Sequence, residues 1–227
     1  MSVPLPEARS RDYFVGRTGM GKSYLLKALL REYLAQGINV VSLDCNDEYS
    51  RHGKKSAVRT LGPLRDRVTA SELSDNPALL DAKRLSLSVV PGQAPQQRAR
   101  AFIMLSRMLR GLGRRVHFVI DETGSIVNSG LHPKCHEAAA ELAVLATSGR
   151  HNEISLAVVA QRAAQIPKEA RSQASSWSVF RQDETDDVDA LAERLGKEFA
   201  QRTTRLQLGQ HLDWRDDSQT QTEGTHQ

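Results

Sequence analysis

Cysteine is scarce in these 227 residues: only Cys45 and Cys135 occur. They form no Cys-x-x-Cys pair, and His52, His132 and His136 stand at no zinc-like spacing from a second Cys, so neither a zinc module nor a disulfide framework is readable. Two free thiols fit a reducing compartment. Long apolar runs are missing too: no stretch approaches the roughly 18 apolar residues of a spanning helix. Residues 1–10 lack the hydrophobic run of a signal peptide. These absences predict a cytoplasmic protein with no membrane span. Large net charge is also absent. The 31 Lys and Arg against 27 Asp and Glu leave +4, which permits nucleic-acid contact without demanding it. No internal repeat is visible. The length suits one α/β domain, placed at residues 12–212, with an irregular lead at 1–11 and a polar, disordered tail at 213–227.

What is present is an alternation of apolar strands and amphipathic helices. Strands are expected at 13–15, 38–43, 85–90, 116–120, 154–160 and 177–180. A helix follows the first strand over 23–36, with Leu25, Leu26, Leu29, Leu30 and Leu34 on one face and Gly37 ending it. Further helices are expected at 95–111 and 138–147, and one more through Val188, Leu191, Leu195 and Phe199, with acids at its N-terminal end. Residues 50–92 are the least legible. They hold a basic patch (Arg51, Lys54, Lys55, Arg59, Arg65, Arg67), then loop and short helix before the strand at 85–90. The alternation predicts a three-layer α/β fold: a mostly parallel central sheet with helices on both faces.

Gly16-Arg17-Thr18-Gly19-Met20-Gly21-Lys22-Ser23 fits the phosphate-loop pattern G-x-x-x-x-G-K-[ST], between an apolar strand and an amphipathic helix. Glycines let the backbone wrap close to phosphate, and the helix start adds its positive dipole end. Residues 16–23 with Tyr24 are therefore the expected ATP-binding set. Lys22 is placed to reach the β- and γ-phosphates, and Ser23 to bind Mg²⁺.

The strand at 116–120 ends in Asp121 and Glu122. In a parallel sheet such residues lie over the cradle. Asp121 is the expected Mg²⁺ partner, with helix capping as its alternative role. Glu122 is the expected base toward water, which marks hydrolysis rather than transfer to a substrate. Gln161 closes the strand at 154–160. It is either a sensor of the γ-phosphate or a surface glutamine. Arg150, just before that strand, is either an arginine finger acting on a neighbouring subunit or a helix-terminal arginine bonding carbonyls. Arg181 is a second finger candidate.

Three passages resemble the FtsK–HerA superfamily of P-loop DNA motors. They are the cradle 16–23; the acidic turn from Asp44 to Glu48-Tyr49; and Gly149-Arg150 through Gln161-Arg162, Ile166-Pro167 and Ser172-Gln173-Ala174. The likeness spans most of residues 12–195. It implies a homo-oligomeric ring, usually a hexamer, threading double-stranded DNA through a basic channel, with ATP between subunits and a trans-acting arginine. With no membrane anchor, no winged-helix domain and no room for a HerA-type N-terminal barrel, a bare core of this length is similar to tectivirus-type genome-packaging ATPases. That reading implies a viral packaging motor in the host cytoplasm or on the virion, with a capsid portal or membrane protein as partner. Plasmid, conjugation, phage-export or repair motors keep the same chemistry. A nucleotide-dependent switch or scaffold without motor activity is the alternative of another class. The segment 97–115 carries six arginines and no acid. It is either a phosphate-tracking face or a solvated helix face.

Overall fold

The computed structural model describes residues 10–52, 62–148, 153–216 and 222–225. Among them nine strands form one sheet: β1 (Arg11–Val15), β2 (Val40–Leu43), β3 (Asp66–Thr69), β4 (Ser86–Val90), β5 (Val116–Ile120), β6 (Ile154–Ala160), β7 (Ser176–Val179), β8 (Gln210–Arg215) and β9 (Thr222–Thr225). The spatial order is β3-β4-β2-β5-β6-β1-β7-β8-β9. Pairing is parallel from β3 across to β7, and antiparallel for β7–β8 and β8–β9.

The helices are α1 (Lys22–Ala35), α2 (Ala70–Asp75), α3 (Pro95–Arg110), α4 (Thr123–Val127), α5 (Pro133–Ser148), α6 (Lys168–Arg171), α7 (Thr185–Leu195) and α8 (Lys197–Thr203). Strand periodicity divides the core. Phe14, Val119, Ala157 and Val159 pack with Leu25, Leu26, Leu30 and Tyr33 of α1 on one face. Their neighbours Tyr13, Val15, Phe118, Ile120, Leu156 and Val158 pack on the other face with α3, α5, α7 and α8. Burial on both faces is why the central strands read as continuous apolar runs. The expected three-layer, mostly parallel fold is the observed one.

The end of α1 shows how the sequence sets a boundary. Gly37 takes φ 79°, its N–H donates to the Leu34 carbonyl at 3.1 Å, and Ile38 N–H donates to the Tyr33 carbonyl at 3.0 Å. That paired return to the last turn is a Schellman closure, and glycine is the residue that reaches it without strain.

Four expectations change. The irregular lead ends earlier than residue 11, because Arg11 opens β1 with its side chain fully buried. Its guanidinium donates to the carbonyls of Ala146 at 3.0 Å and Ile154 at 2.7 Å. Within 50–92 lies β3, which periodicity misses because its Asp-Arg-Val-Thr residues are exposed or half-buried on an edge. The last helix is two, α7 and α8, broken where Gly196 takes φ 93°. The tail expected from Asp213 is partly strand: β8 runs to Arg215 and buries Trp214, and β9 pairs with it through backbone bonds that polar residues make as well as apolar ones.

Lys54, Lys55, Arg59 and Arg150 lie outside the described residues. Within 97–115, Arg110 Nη2 binds Glu141 Oε1 at 2.5 Å and Arg114 donates to the Leu80 carbonyl, whereas Arg100 and Arg107 are exposed. Among the described residues no helix is long and apolar enough to cross a membrane.

Candidate nucleotide site

The cradle forms where β1 ends. Gly16 N–H donates to the Ala160 carbonyl of β6 at 3.3 Å, and Arg17 N–H donates to the Arg181 carbonyl beyond β7 at 3.2 Å. The loop is therefore stitched to both neighbouring strands. Gly16 has no room for a side chain: a Cβ there would stand 2.5 Å from Phe180 Cβ. Gly19 and Gly21 turn the chain at φ 84° and 110°. A Cβ on Gly19 would meet nothing within 4 Å, so the mouth of the loop opens to solvent. Helix α1 starts at Lys22 with no side chain capping its first turn. Its leading N–H groups are thus left for an anion.

Lys22 is buried, and its Nζ donates to the Gly16 carbonyl at 2.5 Å and the Arg17 carbonyl at 3.0 Å. Burial pulls its pKa down, and the charges of Glu122 and Asp121 oppose that shift. The ammonium and the two carboxylates thus share one electrostatic neighbourhood, although β1 and β5 are separated by β6. Tyr24 is half-exposed on α1, at 53% of its free surface.

Asp121 is buried, and its pKa rises to about 8. Loss of hydration is the main cause, followed by the nearby charges of Asp44 and Glu122. Asp44 is also buried and pushed up to about 6, again mainly by desolvation. It is held by Glu48 N–H at 2.9 Å, Tyr49 N–H at 2.8 Å and Ser88 Oγ at 2.8 Å. Glu122 takes a left-handed backbone, φ 49° and ψ 44°, unusual for a side chain of its size and of the kind stored at functional sites. The Gln161 amide donates to both Glu122 oxygens, at 3.1 and 2.9 Å. The Asn46 amide donates to Asp121 Oδ2 and Glu122 Oε1, each at 3.3 Å. A cavity of about 330 Å³ lies against the cradle and Gln161, lined also by Arg162, Gln182 and Asp183.

The cradle, Lys22, Asp121, Glu122 and Gln161 are thus brought together. Arg181 is held in an ion pair, its Nε 3.1 Å from Asp183 Oδ2, which Arg17 of the cradle also binds at 2.8 Å. Asp44 and Asn46 belong to the site and were missed as site residues. The acidic turn after β2 was the available signal, but nothing in its spacing says which side chains point back to the strand at 116–120.

The residues fit Mg²⁺ bound with a triphosphate. Among the described residues no group of three His, Cys, Asp or Glu forms a chelating cluster. A magnesium ion takes most of its shell from phosphate and water, so two protein oxygens, those expected of Ser23 and Asp121, would suffice. A buried carboxyl whose ionisation is opposed by two like charges is also one that a cation would relieve.

The family model described as the central domain of helicase HerA matches residues 14–198. The chain belongs to this family of P-loop ATPases. Among solved structures, the HerA-type fold recurs in the genome packaging NTPase B204 of Sulfolobus turreted icosahedral virus 2 in complex with ATP-gammaS. The TM-score is 0.69 at 21% identity, covering 96% of this chain and 98% of that one. The bacterial conjugative coupling protein TrwBdeltaN70 gives 0.70 at 14% identity, covering 99% and 87%. VirB4 of Thermoanaerobacter pseudethanolicus gives 0.66 at 12%, covering 99% and 91%. At these identities the likeness establishes the fold. No curated protein sequence matches the chain.

Proposed function

We propose that the chain is an ATP-hydrolysing motor that moves double-stranded DNA, and that its task is to package a viral genome. The observation that carries the ATPase reading is the Glu122 carboxylate held by Gln161 at 3.1 and 2.9 Å, beside the same Lys22 that closes the cradle. In this reading the backbone of residues 16–23 and the start of α1 bind the phosphates. Tyr24 lies next to the nucleotide. Lys22 exchanges its two loop carbonyls for phosphate oxygens and neutralises their charge. Glu122 accepts a proton from water as the water oxygen bonds to the γ-phosphorus and the β–γ bridging oxygen departs with ADP. Ser23 and Asp121 would hold Mg²⁺, which when bound supplies charge neutralisation at the phosphates.

Packaging is favoured by near end-to-end coverage, 96% against 98%, with the viral B204 NTPase. Likeness to a conjugative coupling protein supports transfer of plasmid DNA as the second reading. Both imply a homo-oligomeric ring, a hexamer by family resemblance, with Arg150 reaching the neighbouring subunit's ATP and Arg181 as the second candidate. The exposed Arg100 and Arg107 are suited to sequence-independent phosphate contact. A capsid portal or membrane protein would be the docking partner in a virion.

Steady-state ATPase activity with and without long duplex DNA, across a salt series, tests the proposal. A motor is stimulated by duplex, and the stimulation falls steeply as salt rises. A nucleotide switch hydrolyses at one rate whether or not DNA is present.

A further inference from the structure

Glu122 is the group asked to take a proton from water, yet most of its acceptor capacity is already used. A carboxylate offers about four lone-pair sites. Oε1 accepts from Gln161 at 3.1 Å and Asn46 at 3.3 Å, and Oε2 accepts from Gln161 at 2.9 Å. These three hydrogen bonds, from two amides, leave one direction, on Oε2, open to a water. Gln161 alone could pivot with the carboxylate. Asn46 removes that freedom, because the same amide nitrogen also binds Asp121 Oδ2 at 3.3 Å and so locks the base to the neighbouring acid.

Asn46 is exposed, but its place in the turn is fixed from both sides. Upstream, Asp44 is gripped by Ser88 of β4 and by the N–H groups of Glu48 and Tyr49. Downstream, Asp47 takes φ 56° and forms a two-pronged ion pair with Arg67 of β3, at 2.8 and 3.0 Å. Such forked pairs fix geometry as well as charge. The turn after β2 thus carries an amide to the catalytic carboxylates from the far side of the site, opposite Gln161.

We infer that Asn46 is a positioning residue for ATP hydrolysis, aiming the one open lone pair of Glu122 and tying Glu122 to Asp121. The inference rests on the assignment of Glu122 as base.

The test is kinetic, with purified full chain, Mg²⁺ and ATP. Asn46→Ala lowers kcat by about tenfold or more while KM for ATP stays within about twofold, the split expected when only the reacting geometry is disturbed. Asn46→Asp keeps the volume but replaces the donor with a charge. It falls at least as far, whereas a residue that merely fills space would be rescued by it. In a Glu122→Gln background Asn46→Ala costs nothing further, because its route runs through Glu122. Wild-type kcat in Asn46→Ala, rescue by Asp, or an equal loss in the Glu122→Gln background overturns the inference while leaving the ATPase reading intact. Glu122→Gln turning over at the wild-type rate overturns both.

Discussion

Gln161 and Glu122 meet side chain to side chain, the amide donating to both carboxylate oxygens at 3.1 and 2.9 Å. The main chain of Gln161 is fixed as well, because Gln182 Nε2 donates to its carbonyl at 2.7 Å and Gln182 Oε1 accepts from Ala163 N–H at 3.4 Å. Glu122 is therefore connected, through Gln161 and Gln182, to the segment after β7. Gln161→Ala should leave ATP affinity within about twofold and lower kcat about tenfold or more, the range of a mispositioned acid–base group. Nucleotide titration beside steady-state kinetics checks it. Unchanged kcat would return Gln161 to the role of a surface residue closing a strand.

Arg150 carries the proposal of catalysis between subunits. Arg150→Ala chains mixed with wild type should depress activity more than their share of subunits, because each mutant disables its neighbour's site. Activity plotted against mutant fraction checks this. A straight line would assign the finger elsewhere, with Arg181 next to be tested. Arg181 would first have to leave Asp183, its partner at 3.1 Å.

Gly16 packs closely against Phe180, the residue that follows β7. An alanine Cβ at that position would stand 2.5 Å from Phe180 Cβ, and the backbone there sits at φ 150°. Gly16→Ala should cost about 1–3 kcal/mol of stability, the usual price of overpacking. It should also weaken ATP binding, because the loop must shift to relieve the clash. Urea midpoints with and without nucleotide measure both effects.

His117 gives the fold a pH dependence of known sign. It is fully buried in β5, its Nδ1 2.9 Å from Ser155 Oγ, and burial together with Arg115 drives its pKa down to about 3. The unfolded chain binds a proton near pH 6.5. Below that pH unfolding takes up a proton that the fold refuses. The contribution is full above about pH 6.5 and is lost as pH falls toward 3, on the order of a few kcal/mol in total. His117→Asn should flatten that acid limb in denaturant titrations run at successive pH values.

Legibility followed the kind of signal each residue leaves. The cradle is a fixed spacing of glycines, lysine and serine, and the structure builds a loop there in which Gly16 has no room for a side chain and Gly19 and Gly21 take positive φ. Asp121 and Glu122 close an apolar run, and the parallel sheet delivers them to the cradle. The central strands were readable because both faces are buried. Where a face is open the signal fades: β3 carries Asp66 and Arg67 to solvent, and β8 alternates around Asp213 and Arg215. The site residues missed, Asp44 and Asn46, sit in a turn whose direction is set by Ser88 and Arg67, more than twenty residues along the chain from most of the groups they serve. A pattern confined to neighbours in sequence does not contain that information.

The most direct test compares Mg·ATP binding and hydrolysis in wild type and in Glu122→Gln. If Glu122 is the base, ATP affinity stays equal and the single-turnover rate falls about 100-fold or more, as for loss of a general base. Hydrolysis at the wild-type rate in Glu122→Gln, or no binding of Mg·ATP by the wild-type chain, would contradict it.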